Sequence, residues 1–257
     1  MTLGYKGIKI NYDTEGNGTP LVFLHGFLEN STMWDMITPH FLPTYQCITI
    51  DLLGHGKTDC KGYIHNMEDM ANAVKAVLDI LTDQKITIIG HSMGGYVGLA
   101  YLDLFPEMVS GLLLLNSTSL PDSDERKKNR DRAIQIVKKN PDAYTSMAIA
   151  NLFAAKNRAA FSKEIDAIKI RASKTTLQGI IAALEGMKIR KDRSEVFKNF
   201  NGSKAIFAGK EDPVLLYQQR ILEAKKYNIN LVSFGGGHMT YLENKDQFLR
   251  SLQDFLK

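Results

Sequence analysis

The stretch Ile86-Thr87-Ile88-Ile89-Gly90-His91-Ser92-Met93-Gly94-Gly95 constrains this chain more than any other. The β-branched run reads as a buried strand, and the apolar residues from Gly95 to Pro106 read as a helix that the proline closes. Between them stands Ser92, with glycines two residues to either side. A strand that turns this sharply into a helix holds its central residue in unfavourable backbone angles, and the flanking glycines keep neighbouring backbone clear. The first turn of the helix points free N–H groups at the serine, which suits a developing negative charge. Gly-x-Ser-x-Gly alone is also compatible with a packing turn, so its partners must carry the argument.

The same rhythm runs along most of the chain. Ile8 and Ile10 alternate with Lys9 and Asn11, the period of a half-exposed strand, and Gly16 to Pro20 is a turn cluster. Leu21-Val22-Phe23-Leu24 ends in His25-Gly26-Phe27, and Cys47-Ile48-Thr49-Ile50 ends in Asp51-Leu52-Leu53-Gly54-His55-Gly56. Continuous apolar runs of this kind are strands covered on both faces. A helix is predicted over 67–81 with Asn66 as N-cap, followed by the strand at 86–89 and another over 111–115 that stops at Asn116. From 117 to 200 the strand signal disappears, and helices are predicted near 124–139, 142–155, 159–171 and 175–187. Strands return at 205–208 and 231–234, and a helix over 245–256 ends the chain. Alternating strands and helices predict a mostly parallel, doubly wound sheet. The expected organisation is an α/β core of residues 1–116 and 201–257, interrupted by an all-helical insertion of residues 117–200.

A serine hydroxyl is a weak nucleophile at neutral pH without a base. His91 adjoins the serine, but its side chain must point away from it. His25, His55 and His65 fall in loops after early elements, and His40 lies in Pro39-His40-Phe41. His238 follows a strand through Gly235-Gly236-Gly237, at the sheet edge where Ser92 is expected, and is the candidate base. A third group must hold the imidazole in one tautomer. Gly209-Lys210-Glu211-Asp212-Pro213 follows a strand at that edge, and Asp212 is the candidate acid, with Glu211 as the alternative. Asp51, among turn glycines, reads as a carboxylate that structures its own loop. The oxyanion donors expected are the backbone N–H groups of Met93 and Phe27.

Taken together, these motifs resemble the α/β-hydrolase superfamily. The resemblance covers nearly the whole chain: Leu21 to Phe27, Asp51 to Gly56, Gly90 to Gly95, Gly209 to Pro213, and Gly237-His238 followed by Glu243. It implies Ser92 as nucleophile, Asp212 as acid, His238 as base, Phe27 and Met93 as oxyanion donors, and residues 117–200 as a helical cap over the site. Epoxide hydrolases and haloalkane dehalogenases are similar but carry Asp at the nucleophile, which Ser92 argues against. One departure is Thr58, where relatives commonly have serine; the hydroxyl is kept.

The expected activity is hydrolysis of small carboxylic esters through an acyl-enzyme. The alternatives on the same triad are enol-lactone or carbon–carbon bond hydrolysis and a lyase step of the menaquinone-biosynthesis type; a ligand-sensing receptor on this fold is the alternative from another class. No metal or other cofactor is implied, since there is no His-x-x-x-His pair or cysteine cluster. Phe27, Trp34 and Tyr96 stand beside the motifs as candidate substrate-pocket residues. Net charge is +4 overall, yet Pro121 to Phe200 holds 18 Lys and Arg against 10 Asp and Glu. The pairs Arg126/Arg130 and Lys128/Arg132, at four-residue spacing, are expected to face water, while Arg171 or Arg190 could reach the pocket and bind a substrate carboxylate. Two cysteines, a start without a long apolar segment and no apolar run of about 18 residues lead to the expectation of a cytoplasmic protein whose partner is a small molecule, not a membrane or a nucleic acid.

Overall fold

A computed structural model describes all residues, 1–257. Eight strands form one sheet: β1 (Thr2–Tyr5), β2 (Ile8–Glu15), β3 (Thr19–Leu24), β4 (Tyr45–Ile50), β5 (Ile86–His91), β6 (Val109–Leu115), β7 (Ser203–Gly209) and β8 (Asn230–Phe234). Their spatial order is β1-β2-β4-β3-β5-β6-β7-β8. The first three in that order meet antiparallel, and every pairing from β4 to β8 is parallel. Lys6 and Gly7, both at positive φ, make the two-residue turn that joins β1 to β2. In the middle of the sheet, β5 is buried along its whole length, its polar Thr87 and His91 included, as expected of a strand covered on both faces.

The helices of the core are α1 (Met67–Leu78) and α2 (Met93–Leu104), followed after the insertion by α8, α9 and α10 (Tyr217–Tyr227, Thr240–Glu243 and Lys245–Phe255). Asn66 caps α1, its side chain accepting from the Asp69 N–H. The helix stops at Leu78, three residues earlier than its apolar spacing predicts, because the chain turns over 79–82. Helix α2 is apolar on every side and buried for its first ten residues, the signature of a helix packed inside the fold. No helix is long and apolar enough to cross a membrane.

Between β6 and β7 there are only helices: α3 (Asp124–Lys139), α4 (Pro141–Ala150), α5 (Ser162–Ala172), α6 (Leu177–Lys188) and the short α7 (Ser194–Asn199). Side chains of Ser123, Asn140 and Thr176 cap α3, α4 and α6. Helix α4 ends at Ala150, short of the predicted 155. Backbone groups just beyond it turn to the core instead, with Leu152 O accepting from His238 N at 2.8 Å and Ala154 N donating to Glu243 at 3.1 Å. Helix α6 seats on the loop after β4, where His65 N donates to Ala182 O at 2.9 Å. Helices α7 and α8 were without a clear signal in the sequence, since charged residues dilute their short apolar stripes.

Candidate active site

The parallel strands end at one edge of the sheet, and the chemistry-bearing residues collect there, as expected for open α/β sheets. Ser92 joins β5 to α2 at φ 50° and ψ −111°, a conformation costing about 1–3 kcal/mol in a residue other than glycine. The surrounding contacts impose it. A Cβ on Gly90 would stand 2.5 Å from the Gly94 carbonyl oxygen, and one on Gly94 would overlap the Leu24 carbonyl.

Ser92 Oγ donates to His238 Nε2 at 2.9 Å, and His238 Nδ1 donates to Asp212 Oδ2 at 2.7 Å. His238 and Asp212 are buried. Burial by itself would raise the Asp212 carboxyl. The imidazole of His238, the Leu215 N–H and Asn116 outweigh it and hold the group below the usual carboxylate range. Asp212 Oδ1 accepts from the Val214 and Leu215 N–H groups at 2.8 and 2.9 Å. Its neighbour Glu211, the alternative acid, points outward to Lys156 on the surface. Asp51 accepts from Lys57 N in its own loop and from Ser31 N and Asn11 Nδ2, and so also fastens that loop to the 31–34 turn and to β2. His25, His55 and His65 are buried. Burial brings His55 down to about 3 and His65 to about 4, so both are neutral near pH 7.

Phe27 N–H donates to no protein acceptor. Met93 is the first residue of α2, where an N–H has no intrahelical partner. Both donors lie at the sheet edge beside Ser92. A buried ion pair braces this corner. His91 Nδ1 donates to Glu29 Oε2 at 2.9 Å and its Nε2 donates to the His238 carbonyl at 2.9 Å. Two donations require the imidazolium. Burial opposes that charge, but Glu29 and the accepting carbonyl outweigh it and raise the His91 value. Gly26 is needed here, because a Cβ would stand 2.6 Å from both Glu29 Oε2 and His91 Nδ1.

A cavity of about 80 Å³ opens at Ser92. Phe27, Tyr96, Leu152, Met187 and Val214 give it apolar walls, and Arg126 and Arg130 of α3 reach it from the cap. Of the three pocket residues expected from sequence, Phe27 and Tyr96 line the cavity. Trp34 does not. It is fully buried against Phe23 and Tyr241, with ring centroids 5.2 and 5.8 Å away, because the 3-10 turn of residues 31–34 directs its ring into the core.

The expectation for the cap arginines also needs correction. Arg130 faces the cavity rather than water, and Arg126 reaches the cavity while its side chain stays 34% exposed; Lys128 and Arg132 are exposed as expected. Arg190 sits behind the cavity wall, its guanidinium 4.1 Å from the Tyr96 ring centroid, and Arg171 is not among the lining residues. The feature that orders these groups is Asp122, whose side chain is wholly buried and which pairs with Arg126 at 3.1 Å, with Arg190 at 2.5 Å and with Arg130. Burial pushes the Asp122 carboxyl up, yet Arg130 and Arg190 overcome this and bring it down to about 2.

Sequence reading assigned no role to several supports. Asn116 donates to Asp212 Oδ2 at 3.0 Å and to Gly237 O at 3.1 Å, and accepts from Thr240 at 2.5 Å. Glu243 accepts from Gly237 N at 2.8 Å and from Asn157 at 2.7 Å, fastening the histidine loop to the cap. Glu29 and Asn116 carried no local signal. For Arg126 and Arg130 a signal existed: they continue the stripe of Ile134 and Val137, the buried residues of α3, at helical spacing.

A family model described as the alpha/beta hydrolase fold matches residues 19–160. Among curated proteins, the chain is similar to the cis-3-alkyl-4-alkyloxetan-2-one decarboxylase of Shewanella oneidensis, 33% identical over 127 residues that cover 47% of this chain and 40% of that one. It is also similar to a human serine hydrolase-like protein, 32% identical over 111 residues, 42% of this chain and 55% of that one. Matches to curated relatives such as these span from 29% to 55% of their length. Among solved structures, an esterase from Thermogutta terrifontis superposes with a TM-score of 0.90 at 24% identity, covering 99% of this chain and 96% of that one. The enol-lactonase of Burkholderia xenovorans reaches 0.91 at 18% identity, covering 100% and 99%. At these identities the solved structures speak for the fold. With the family model spanning more than half of the chain and the sheet order already described, the protein belongs to the α/β-hydrolase fold family.

Proposed function

We propose that this protein is a serine hydrolase that cleaves small carboxylic esters through an acyl-enzyme. The observation that carries the reading is the continuous line from strained Ser92 through His238 to buried, ionised Asp212. His238 Nε2 takes the Oγ proton as Ser92 attacks the ester carbonyl, and Asp212 stabilises the imidazolium that forms. The negative charge on the carbonyl oxygen is received by the Met93 and Phe27 N–H groups. Such a pair of preorganised donors lowers the barrier by several kcal/mol in a site closed to water. The imidazolium then returns its proton to the leaving alcohol. A water molecule, deprotonated by the same Nε2, releases the acid and restores the serine.

The 80 Å³ cavity beside Ser92 suits a short acyl group. Similar proteins, among them a serine hydrolase-like protein, an esterase and an enol-lactonase, support acyl transfer as the class. Turnover of 4-nitrophenyl acetate or butyrate should fall by roughly four orders of magnitude or more in Ser92→Ala, with the fold intact by circular dichroism. Wild-type turnover retained in that variant would refute the proposal. Running lactones and β-diketones beside the esters separates ester cleavage from the other reactions open to the same triad. Single-turnover labelling of Ser92 without steady-state hydrolysis would mark a receptor.

A further inference from the structure

Three guanidinium groups surround one buried carboxylate above Ser92, and their hydrogen bonds are unequally used. Arg190 is committed to Met187 O and Leu120 O as well as to Asp122. Arg126 gives Nε to Asp122 and Nη1 to Val214 O. Arg130 bonds to Asp122 alone, through Nε and a longer contact of 3.4 Å from Nη2. A guanidinium has five N–H donors, so Arg130 keeps spare ones on the wall of the cavity that holds Ser92. Its side chain is only 12% exposed, so solvent does little to satisfy them.

The charges around the cavity sharpen the point. Glu29 is matched by His91, whereas Asp212, whose partner His238 donates at Nδ1 and accepts at Nε2, keeps its negative charge and acts on Arg126. Asp122 and Asp212 answer two of the three arginines and leave one positive charge uncompensated at the cavity. Removing a cation from water without a full partner is unfavourable, and an arginine in that state is a strong bidentate receptor for a carboxylate.

The geometry points to Arg130, with Arg126 beside it, as a subsite for a carboxylate carried by the substrate within a few bonds of its scissile carbonyl. The substrate class is therefore a short anionic ester, such as a half-ester of a dicarboxylic acid. This rests on the Ser92 cavity being where the proposed hydrolysis occurs. Phosphate is bulkier than carboxylate, and the small cavity favours the planar group, whose two oxygens match the guanidinium fork.

Two turnover arms and one binding arm test it. Monomethyl succinate against methyl butyrate places the anion on the acyl side, and acetoxyacetate against propyl acetate places it on the alcohol side. In at least one arm the anionic member should have a kcat/KM roughly tenfold or more above the neutral one. Arg130→Gln should erase that ratio, Arg130→Lys should keep part of it, and Lys128→Gln, on the exposed face of α3, should leave it at the wild-type value. A ratio at or below one in both arms, or one unchanged in Arg130→Gln, would overturn the subsite. The Lys variant keeps the charge beside Asp122 and serves if the Gln variant fails to fold. Calorimetry on Ser92→Ala, comparing monomethyl with dimethyl succinate, reads the subsite without turnover. Tighter, Arg130-dependent binding of the monoanion would uphold it even if no ester were hydrolysed, whereas equal binding of the two would count against it.

Discussion

The two sides of the cavity are built by different means. On the core side, Ser92, His238 and the N–H groups of Phe27 and Met93 are held by backbone pressed against backbone, with glycines at the points of overlap. On the cap side, Arg126, Arg130 and Arg190 are held by charge around Asp122. Backbone sterics leave almost no freedom, which suits groups that must meet a transition state within fractions of an ångström. A charge network on an inserted set of helices tolerates adjustment, which suits the part of the site that meets a variable substrate.

The contrast is most exposed at Gly94. Ala in its place overlaps the Leu24 carbonyl, with neither β3 nor α2 free to retreat. Gly94→Ala should cost about 4 kcal/mol of stability and most of the activity. A variant with wild-type urea unfolding and turnover would show the elbow to be looser than its contacts indicate. Next in size is Asp122→Asn, which leaves three guanidinium groups without their carboxylate. It should cost about 3 kcal/mol in urea unfolding. An unchanged midpoint would mean that the cap's charges do not hold it in place.

Acid gives a gentler probe of the same group. The Asp122 carboxyl is depressed in the folded protein to about 2, so its contribution is present above its unfolded value and is lost as pH falls towards 2. About 2 kcal/mol should disappear between roughly pH 5 and 2, and that part of the slope should be missing in Asp122→Asn. Melting curves of both proteins across this range would show it, and identical slopes would contradict the assignment.

Gly186 of α6 offers the direct counterpart to Gly94, since a Cβ there overlaps the His65 carbonyl. If the cap yields more readily than the sheet, Gly186→Ala should cost only about 1–2 kcal/mol. Its kcat/KM should still fall, because Met187, the next residue, lines the cavity. A stability loss equal to that of Gly94→Ala would erase the distinction between the two sides. Smallest of all is Trp34→Phe. The ring lies in the core, so the cost should be about 1–2 kcal/mol, with kcat/KM ratios between substrates unchanged. Altered selectivity would return Trp34 to the pocket.

Reading the sequence was most effective where function is written in local backbone requirements. Glycines around Ser92 and the strand before it are short-range features, and the mostly parallel character of the sheet follows from alternating strands and helices, although its strand order does not. It failed at α3 for a definable reason. Four-residue spacing shows that Arg126 and Arg130 share a face, but charge alone suggested water. The weaker cue, that this face continues through Ile134 and Val137, pointed to the interior. Trp34 misled in the opposite direction, as nearness in sequence to Phe27 says nothing about which way a 3-10 turn directs a ring.

From the chain itself come the alternation that makes the sheet, the sharp turn at Ser92 and the residue types able to run acyl transfer. These depend on propensities and spacings that act within a few residues. Only the tertiary structure decided that Asp212 and not Glu211 meets His238, that Glu29 and Asn116 brace the site, and that Asp122 gathers three arginines above it. Each of those pairings joins residues far apart in sequence, and burial gives them their strength by removing the water that would otherwise compete.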